Sequence, residues 1–203
     1  MRTRVVAVEP SAPAPAILAE AAGLLREGGL VAFPTETFYG LGAAAFNSAA
    51  ARRIFAVKGR PESKPLLVLV DDEAMLHTVA AEVPPRARAL MAQHWPGALT
   101  LVLPARPTLP CEVTAGTRSI GVRRSAHPVA RGLVRALGAP VTAPSANPAE
   151  RDPPTTAGEV LAYFDGVIEL VLDGGVTCGG PPSTVLDVTV DPPVVLRAGA
   201  VRL

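Results

Sequence analysis

Three cationic side chains, Lys58, Arg60 and Lys64, lie within seven residues of one another. A glycine and two prolines stand between and beside them, which predicts a shaped loop rather than one face of a helix. Cations this close repel one another unless they are solvated or face an anion, and a polyphosphate would be held strongly by three of them. The pattern therefore indicates a phosphate-binding loop. A basic surface loop without a ligand is the alternative that these residues leave open.

A serine and an asparagine, Ser145 and Asn147, follow residues 140–143, which we predict to form a short strand. Open α/β sheets bind their ligands at the ends of strands. A hydroxyl and an amide together can donate to phosphate oxygens and accept from a ribose or a base. An ordinary turn between prolines explains the same residues when this segment is considered alone.

Polar side chains also crowd the end of the strand predicted at residues 30–33. Thr35, Glu36, Thr37 and Tyr39 follow it within a few positions, a higher density of polar groups than a simple turn requires. Because they follow a buried strand, they are candidates for a binding site. Glu36 as a plain surface charge is the alternative.

A fourth candidate is Arg123, which follows the apolar residues 120–122 and precedes Arg124. Alternation along a strand would turn one of these two arginines inward and the other outward. An arginine facing a cleft suits a carboxylate or a phosphate. An arginine on an edge strand, with no ligand, is equally consistent with the pattern.

Composition and the absence of other motifs narrow the functional classes. Lys and Arg number 19 against 18 Asp and Glu, which argues against a protein that binds nucleic acid through bulk charge. The sequence contains no Walker A motif, no metal-ligand spacing of histidines and no cysteine framework. It also lacks an apolar run of membrane-spanning length, so we expect no membrane association and a cytoplasmic location.

Helical and strand patterns alternate along the chain, which predicts one α/β domain over residues 1–203 with a largely covered mixed sheet. Residues 34–42 are expected to form a glycine-bearing loop. The predicted helices are 14–27, 47–57, 84–94, 127–137 and 155–163. The predicted strands are 30–33, 66–70, 99–103, 120–123, 140–143, 168–172, 183–188 and 194–197.

Taken together, these segments resemble the threonylcarbamoyl-AMP synthase family, the YrdC, Sua5 and TsaC group, in its short single-domain type. Leu69 stands where many members carry histidine, and Phe38 replaces a common valine. The matching motifs run in the family's order: Pro34-Thr35-Glu36-Thr37, Tyr39-Gly40-Leu41-Gly42, Lys58-x-Arg60-Pro61-x-x-Lys64-Pro65-Leu66, Trp95-Pro96-Gly97, Val122-Arg123, His127-Pro128, Ala143-Pro144-Ser145-Ala146-Asn147, Asp173-Gly174-Gly175, Ser183-Thr184-Val185 and Leu196-Arg197.

The resemblance implies a twisted, mixed, open sheet with flanking helices around an electropositive cavity. It also implies synthesis of L-threonylcarbamoyladenylate and pyrophosphate from ATP, bicarbonate and L-threonine, with Mg²⁺ on the phosphates. A TsaD-like transferase would then pass the threonylcarbamoyl group to adenosine 37 of tRNA, and a weak contact with tRNA is a further expectation. No protein ligands for a metal are expected.

The resemblance also implies functions for individual residues. Lys58, Arg60 and Lys64 are expected to be catalytic, because they neutralise the charge that develops on the phosphates. Thr35 and Arg123 are expected to bind threonine, the arginine through the carboxylate. The residues expected to bind ATP are Lys58, Arg60, Lys64, Ser145, Asn147, Ser183 and Arg197.

Two rival functions remain at this level. An RNA-binding module would show salt-sensitive tRNA affinity without pyrophosphate release, although the near-neutral charge and few aromatic residues disfavour it. A different carbamoyl-adenylate enzyme is the second rival, but its relatives usually carry this domain inside longer chains with additional modules.

Overall fold

The computed structural model describes residues 2–203, which form strands and helices in alternation. The strands are β1 Arg4–Ala7, β2 Val31–Pro34, β3 Tyr39–Gly42, β4 Val68–Leu69, β5 Leu99–Pro104, β6 Ser119–Arg123, β7 Val141–Thr142, β8 Leu170–Asp173, β9 Thr184–Asp187 and β10 Val194–Arg197. The helices are α1 Pro15–Arg26, α2 Ser48–Lys58, α3 Glu73–Val79, α4 Pro85–His94, α5 Cys111–Thr114, α6 Pro128–Leu137 and α7 Ala157–Phe164.

The strands form two mixed sheets that meet along one seam. The first sheet has the order β1-β8-β2-β3, and the second has the order β10-β9-β5-β6-β4-β7. Isolated bridges join the sheets beside β3 and β7, where Gly40 pairs with Ser145 and Ala44 pairs with Val141. The predicted α/β class with mixed sheets and flanking helices is confirmed. The single sheet that we expected is instead two sheets joined at this seam.

Two neighbouring hydrophobic clusters hold the layers together. Helices α1 and α6 pack against each other and against β2 and β8, with Leu25, Phe33 and Leu133 fully buried among them. The other cluster lies under α2 and the central strands β5 and β6. Burying a large apolar side chain contributes about 1.5–3 kcal/mol relative to leaving it in water, so these clusters fix the positions of the strands.

Helix α2 determines where the basic loop begins. The Asn47 side chain accepts a hydrogen bond from the Ala50 N–H at 3.0 Å and caps the first turn. Gly59 ends the helix with φ +58°, a left-handed conformation that favours glycine. The chain therefore turns sharply after Lys58. This agrees with the predicted helix at residues 47–57, which ends just before the basic loop.

The expected loop at residues 34–42 is wrong in its second half, because residues 39–42 form β3 and pair antiparallel with β2. Glycine is required in this hairpin, since a Cβ on Gly42 would lie 2.8 Å from Cε1 of Phe33 and 2.9 Å from Cγ1 of Val141. We interpreted Gly40 and Gly42 as signs of a loop, whereas Gly42 allows the two sheets to approach closely.

Other differences are smaller. The strand predicted at 66–70 is reduced to β4, while β1, α3 and α5 were not predicted. The predicted helices at 84–94, 127–137 and 155–163 are present as α4, α6 and α7. None of the helices within residues 2–203 has the length and hydrophobicity needed to cross a bilayer. That residues 1–203 act as a single domain stays a prediction.

Candidate functional site

A cavity of about 640 Å³ opens over one face of the second sheet. Because alternate residues of a strand share a face, β5, β6 and β9 present every second side chain to this cavity and bury the others in the core. Its walls come from the turn before β3, the loop after α2 and the segment after β7. The floor residues are Thr100, Val102, Ser119, Gly121, Arg123, Ser183, Val185 and Asp187.

Arg123 is only 5 % exposed and lines the floor with its guanidinium fixed on two sides. Its Nε donates to the Gly97 carbonyl at 3.1 Å, and its Nη2 lies 2.6 Å from Oε1 of Glu36. The Ser125 hydroxyl donates to the other oxygen of Glu36. Burial alone would raise the pKa of Glu36, but the charge of Arg123 and the Ser125 hydrogen bond outweigh it and lower the pKa. Glu36 is therefore an ionised partner that holds Arg123.

The Trp95-Pro96-Gly97 segment supplies the acceptor for Arg123. A Cβ on Gly97 would lie 2.5 Å from the His94 carbonyl oxygen, so no other residue fits without a shift of the backbone. The Trp95 indole donates to the Leu99 carbonyl at 2.7 Å, and the Gly97 N–H donates to the Arg124 carbonyl at 2.8 Å. This motif thus anchors the start of β5 to the end of β6.

Arg197 reaches the cavity from the edge strand β10 and is tied to Ser183. Its Nε and Nη2 donate to the Ser183 carbonyl at 3.0 and 2.8 Å, and Nη2 also lies 2.9 Å from the Ser183 hydroxyl. That hydroxyl is 3.0 Å from the Thr100 hydroxyl. The two residues predicted from separate motifs therefore act as one unit.

Four arginines line the cavity, Arg60, Arg123, Arg151 and Arg197. Burial lowers the pKa of Arg197, and the charges of Arg123 and Arg60 lower it further. Like charges that depress one another's pKa lie close in an environment that screens them poorly. An anion placed between them would relieve this repulsion, so the site suits phosphate or carboxylate.

The basic loop contributes to the cavity unequally. Arg60 lines it, and its Nη2 donates to the Pro65 carbonyl at 3.0 Å. Lys64 is exposed and lies outside the lining. Lys58 is 4 % exposed, and its ammonium donates to the Ser145 carbonyl at 2.5 Å and to the Asn147 carbonyl. Of the three predicted cations, only Arg60 lines the cavity. Lys58 lies outside the lining and donates to the backbone of the Ser145–Asn147 segment.

Burial of Lys58, with a smaller contribution from the charge of Arg60, lowers the pKa of its ammonium to about 8. The backbone reinforces the same contact, since the Ala149 N–H donates to the Lys58 carbonyl at 2.6 Å. Nucleotide binding by Lys58 itself stays a prediction, as it does for Lys64.

Ser145 and Asn147 both line the cavity, as predicted. The Asn147 amide donates to the Pro148 and Arg151 carbonyls at 2.9 and 2.6 Å, which fixes the orientation of the side chain. Its Oδ1 is buried and accepts no hydrogen bond from the described residues. An unpaired buried acceptor is costly, which is consistent with a polar group that a ligand or a small rearrangement satisfies.

Thr35 organises the turn before β3. Its hydroxyl donates to the Phe38 carbonyl at 2.7 Å and accepts from the Thr37 N–H at 3.2 Å, and both threonines line the cavity. Sequence reasoning missed several polar or charged lining residues, among them Thr100, Thr117, Ser119, Arg151 and Asp187. Alternation within β5 and β9 is the signal that could have indicated Thr100 and Asp187.

The histidines and cysteines of the described residues form no metal site. Within residues 2–203, no group of three His, Cys, Asp or Glu side chains is arranged to hold a metal ion. His127 caps α6, its Nδ1 accepting from the Val129 N–H at 3.2 Å. Cys111 and Cys178 are both free.

Comparison with known proteins gives concordant matches. The family model for Sua5, YciO and YrdC, described as telomere recombination, matches residues 23–199. A threonylcarbamoyl-AMP synthase of Bacillus subtilis is 46 % identical over 91 % of this chain and 54 % of its own length. The chain thus spans about half the length of the curated relatives at the head of the comparison.

Solved structures agree with the sequence matches. Pyrococcus abyssi Sua5, crystallised as a complex with L-threonine, superposes with a TM-score of 0.94 at 44 % identity, covering 97 % of this chain and 58 % of that one. Escherichia coli YciO superposes with a TM-score of 0.89 at 28 % identity, covering 97 % and 96 % of the two chains.

Proposed function

This chain belongs to the Sua5, YciO and YrdC family, and from that premise we propose that it makes L-threonylcarbamoyladenylate and pyrophosphate from ATP, bicarbonate and L-threonine. The observation that carries the proposal is the convergence of the Arg60, Arg123 and Arg197 guanidinium groups on one cavity. Relatives named threonylcarbamoyl-AMP synthase, and the threonine complex of the archaeal Sua5, support the choice of substrates.

The chemistry requires a site of this kind. The amine of threonine and bicarbonate give a carbamate with loss of water, and a carbamate oxygen then attacks the α-phosphorus of ATP. A new P–O bond forms while the bond to the β-phosphate oxygen breaks, and pyrophosphate leaves with its electron pair. Because nucleophile, transition state and leaving group are all anionic, fixed cations and exact placement supply most of the rate enhancement.

Individual assignments follow the geometry. Arg60, Arg197 and Ser183 are proposed to bind the phosphates, and Ser145 with Asn147, which line the same cavity, to bind the nucleotide. Thr35 and Arg123 remain the proposed threonine contacts. Nη1 of Arg123 is not engaged by Gly97 or Glu36, so the guanidinium can still bind a carboxylate. Lys58 and Lys64 are proposed to act on the nucleotide as well, Lys58 through the segment that it holds.

The remaining parts of the proposal concern the surroundings of the site. Mg²⁺ would arrive with ATP, because Asp187 is the one carboxylate among the described residues that line the cavity and Mg²⁺ is commonly held by substrate phosphates. Its chemical contribution would be to neutralise phosphate charge. We further propose that residues 1–203 form a single functional domain in the cytoplasm, that a TsaD-like transferase consumes the product, and that contact with tRNA is weak.

The test is pyrophosphate release from the full chain with single components omitted. Release should require ATP, threonine and bicarbonate together. Arg60→Ala should lose most of the activity while keeping the far-UV circular dichroism spectrum of the unaltered chain, since the Arg60 side chain donates only to carbonyls of its own loop in the described structure. Equal release with serine in place of threonine would overturn the substrate assignment. Tight, salt-sensitive tRNA binding without pyrophosphate release would favour an RNA-binding module instead.

A further inference from the structure

The cavity is chemically polarised along its floor. Arg60, Arg123 and Arg197 converge at one end, and Asp187 lies away from them on β9. Arg197 pairs with Val185 in the ladder between β10 and β9, so Asp187 is two residues further along, about 6–7 Å at the rise of a strand. A carboxylate at this distance does not pair with the arginines. It also repels a phosphate bound to them less strongly than a closer carboxylate would.

The carboxylate of Asp187 is fixed by its neighbour. Its Oδ1 accepts hydrogen bonds from the N–H and the hydroxyl of Thr189, at 2.8 and 2.6 Å. No described residue donates to Oδ2, and the side chain lines the cavity. A carboxylate held in this way has an acceptor oxygen of fixed direction. It can accept a hydrogen bond from a ligand, but it repels an anion.

The floor residues beside Asp187 are small or apolar. Asp187 pairs with Val102 in the β9–β5 ladder, and Val102 pairs with Gly121 in the β5–β6 ladder. Gly121 has no side chain and so adds no bulk to this row of the cavity floor. A ring can therefore lie on this row with its hydroxyl groups directed at the carboxylate.

These three features fit one part of a nucleotide. With phosphates among the guanidinium groups, the next group outward along the floor is the ribose, whose diol supplies neutral donors to a carboxylate. An acidic residue performs this function in dinucleotide-binding sheets. We propose that Asp187 accepts a hydrogen bond from a ribose hydroxyl of the bound nucleotide, so that the site selects ribonucleotides over deoxyribonucleotides. The inference rests on the proposed binding of ATP in this cavity.

The experiment measures binding of ATP, 2′-deoxy-ATP and 3′-deoxy-ATP to the full chain by isothermal titration calorimetry, without threonine or bicarbonate. The unaltered chain should bind ATP about tenfold to hundredfold tighter than the analogue that lacks the bonded hydroxyl, the range for a hydrogen bond to a charged group. Asp187→Asn should weaken ATP binding by a similar factor and bind ATP and that analogue equally. The amide oxygen can still accept from Thr189, so a purely structural function would leave the ratio of affinities unchanged.

Asp191→Asn is the matched control, because it removes the same charge from an exposed residue outside the cavity lining. It should keep the preference for ATP in full. Equal affinity of the unaltered chain for all three nucleotides would overturn the proposal, as would a preference that survives in Asp187→Asn. A defect of Asp187→Asn that depends on Mg²⁺ concentration, with the ribose preference intact, would also overturn it in favour of a cation at Oδ2.

The same samples separate this inference from the proposed function. Normal pyrophosphate release without ribose preference would reject the inference alone. Ribose preference that depends on Asp187, without any pyrophosphate release, would support the inference and reject the synthase activity. Failure to bind any of the nucleotides would reject both.

Discussion

The arginines of the sheet floor and the cations of the loop after α2 are held in different ways. On the floor, Arg123 is fixed by the Gly97 carbonyl and by Glu36, and Arg197 by the carbonyl and hydroxyl of Ser183. These partners lie on other segments of the chain. In the loop, Arg60 donates to the Lys64 and Pro65 carbonyls, which belong to the loop itself.

The difference separates two contributions to one site. Donors fixed by the rest of the fold need no reorganisation when charge develops on a substrate, so the floor is preorganised for electrostatic stabilisation. A loop cation bonded mainly to its own loop must be ordered by the ligand, and part of its interaction energy is spent on that ordering. Substitutions on the floor should therefore reduce activity more than comparable substitutions in the loop.

The largest effect is expected for Arg123→Ala. We expect pyrophosphate release to fall at least about hundredfold, the range for losing a preorganised charge at a reacting centre. The free energy of unfolding should also fall by about 3–5 kcal/mol, because removing one partner leaves the Glu36 carboxylate buried without its counter-charge. Initial rates and urea denaturation provide the two measurements.

Combining Arg123→Ala with Glu36→Gln separates activity from stability. The second change removes the orphaned charge, so much of the lost stability should return while pyrophosphate release stays low. If activity returned together with stability, Arg123 would act only by stabilising the fold. The floor would then not be the preorganised part of the site.

The sequence predicted this contrast only in part. Its motifs identified Arg123, Ser183 and Arg197, which the fold does bring to one cavity, and the cap and stop signals placed Lys58 at the end of α2. Helix ends are predictable because the signals are local: an asparagine before the first turn and a glycine after the last.

The direction of the Lys58 side chain was not predictable, because its hydrogen-bond partners lie more than eighty residues away in sequence. Asp187 was missed although alternation along the strand from the predicted Ser183 places both side chains on the cavity face. The hairpin at β3 was missed because glycines that permit close packing look the same in sequence as glycines that form a loop.

Lys58 joins the two regions, and its substitution should have an intermediate effect. In Lys58→Met we expect ATP binding about tenfold weaker, because the Ser145–Asn147 segment loses a charged donor. If Lys58 positions that segment, adenosine and ATP should be weakened by the same factor. A loss confined to ATP would mean that the ammonium binds phosphate directly and belongs with the loop cations.

The pH dependence of stability provides an independent check on Lys58. Its pKa is lowered from 10.5 to about 8 in the folded chain, so between these pH values the unfolded chain binds more protons than the folded one. The free energy of unfolding of the unaltered chain should therefore rise with pH across this window relative to that of Lys58→Met. Urea denaturation at pH 7.5 and pH 9.5 measures the difference, and a difference that stays constant would mean that the Lys58 pKa is not depressed by burial.

The smallest effect is expected for Lys64→Ala. Lys64 is exposed and outside the cavity lining, so its charge acts through solvent and is screened by salt. We expect ATP binding to weaken by less than about threefold at physiological ionic strength, with the effect vanishing at high salt. Titration calorimetry at two salt concentrations gives the result. A loss as large as that of Arg60→Ala, persisting in high salt, would show that the whole loop closes onto the nucleotide. The bound ligand would then fix the geometry of the loop, as the fold already fixes that of the floor.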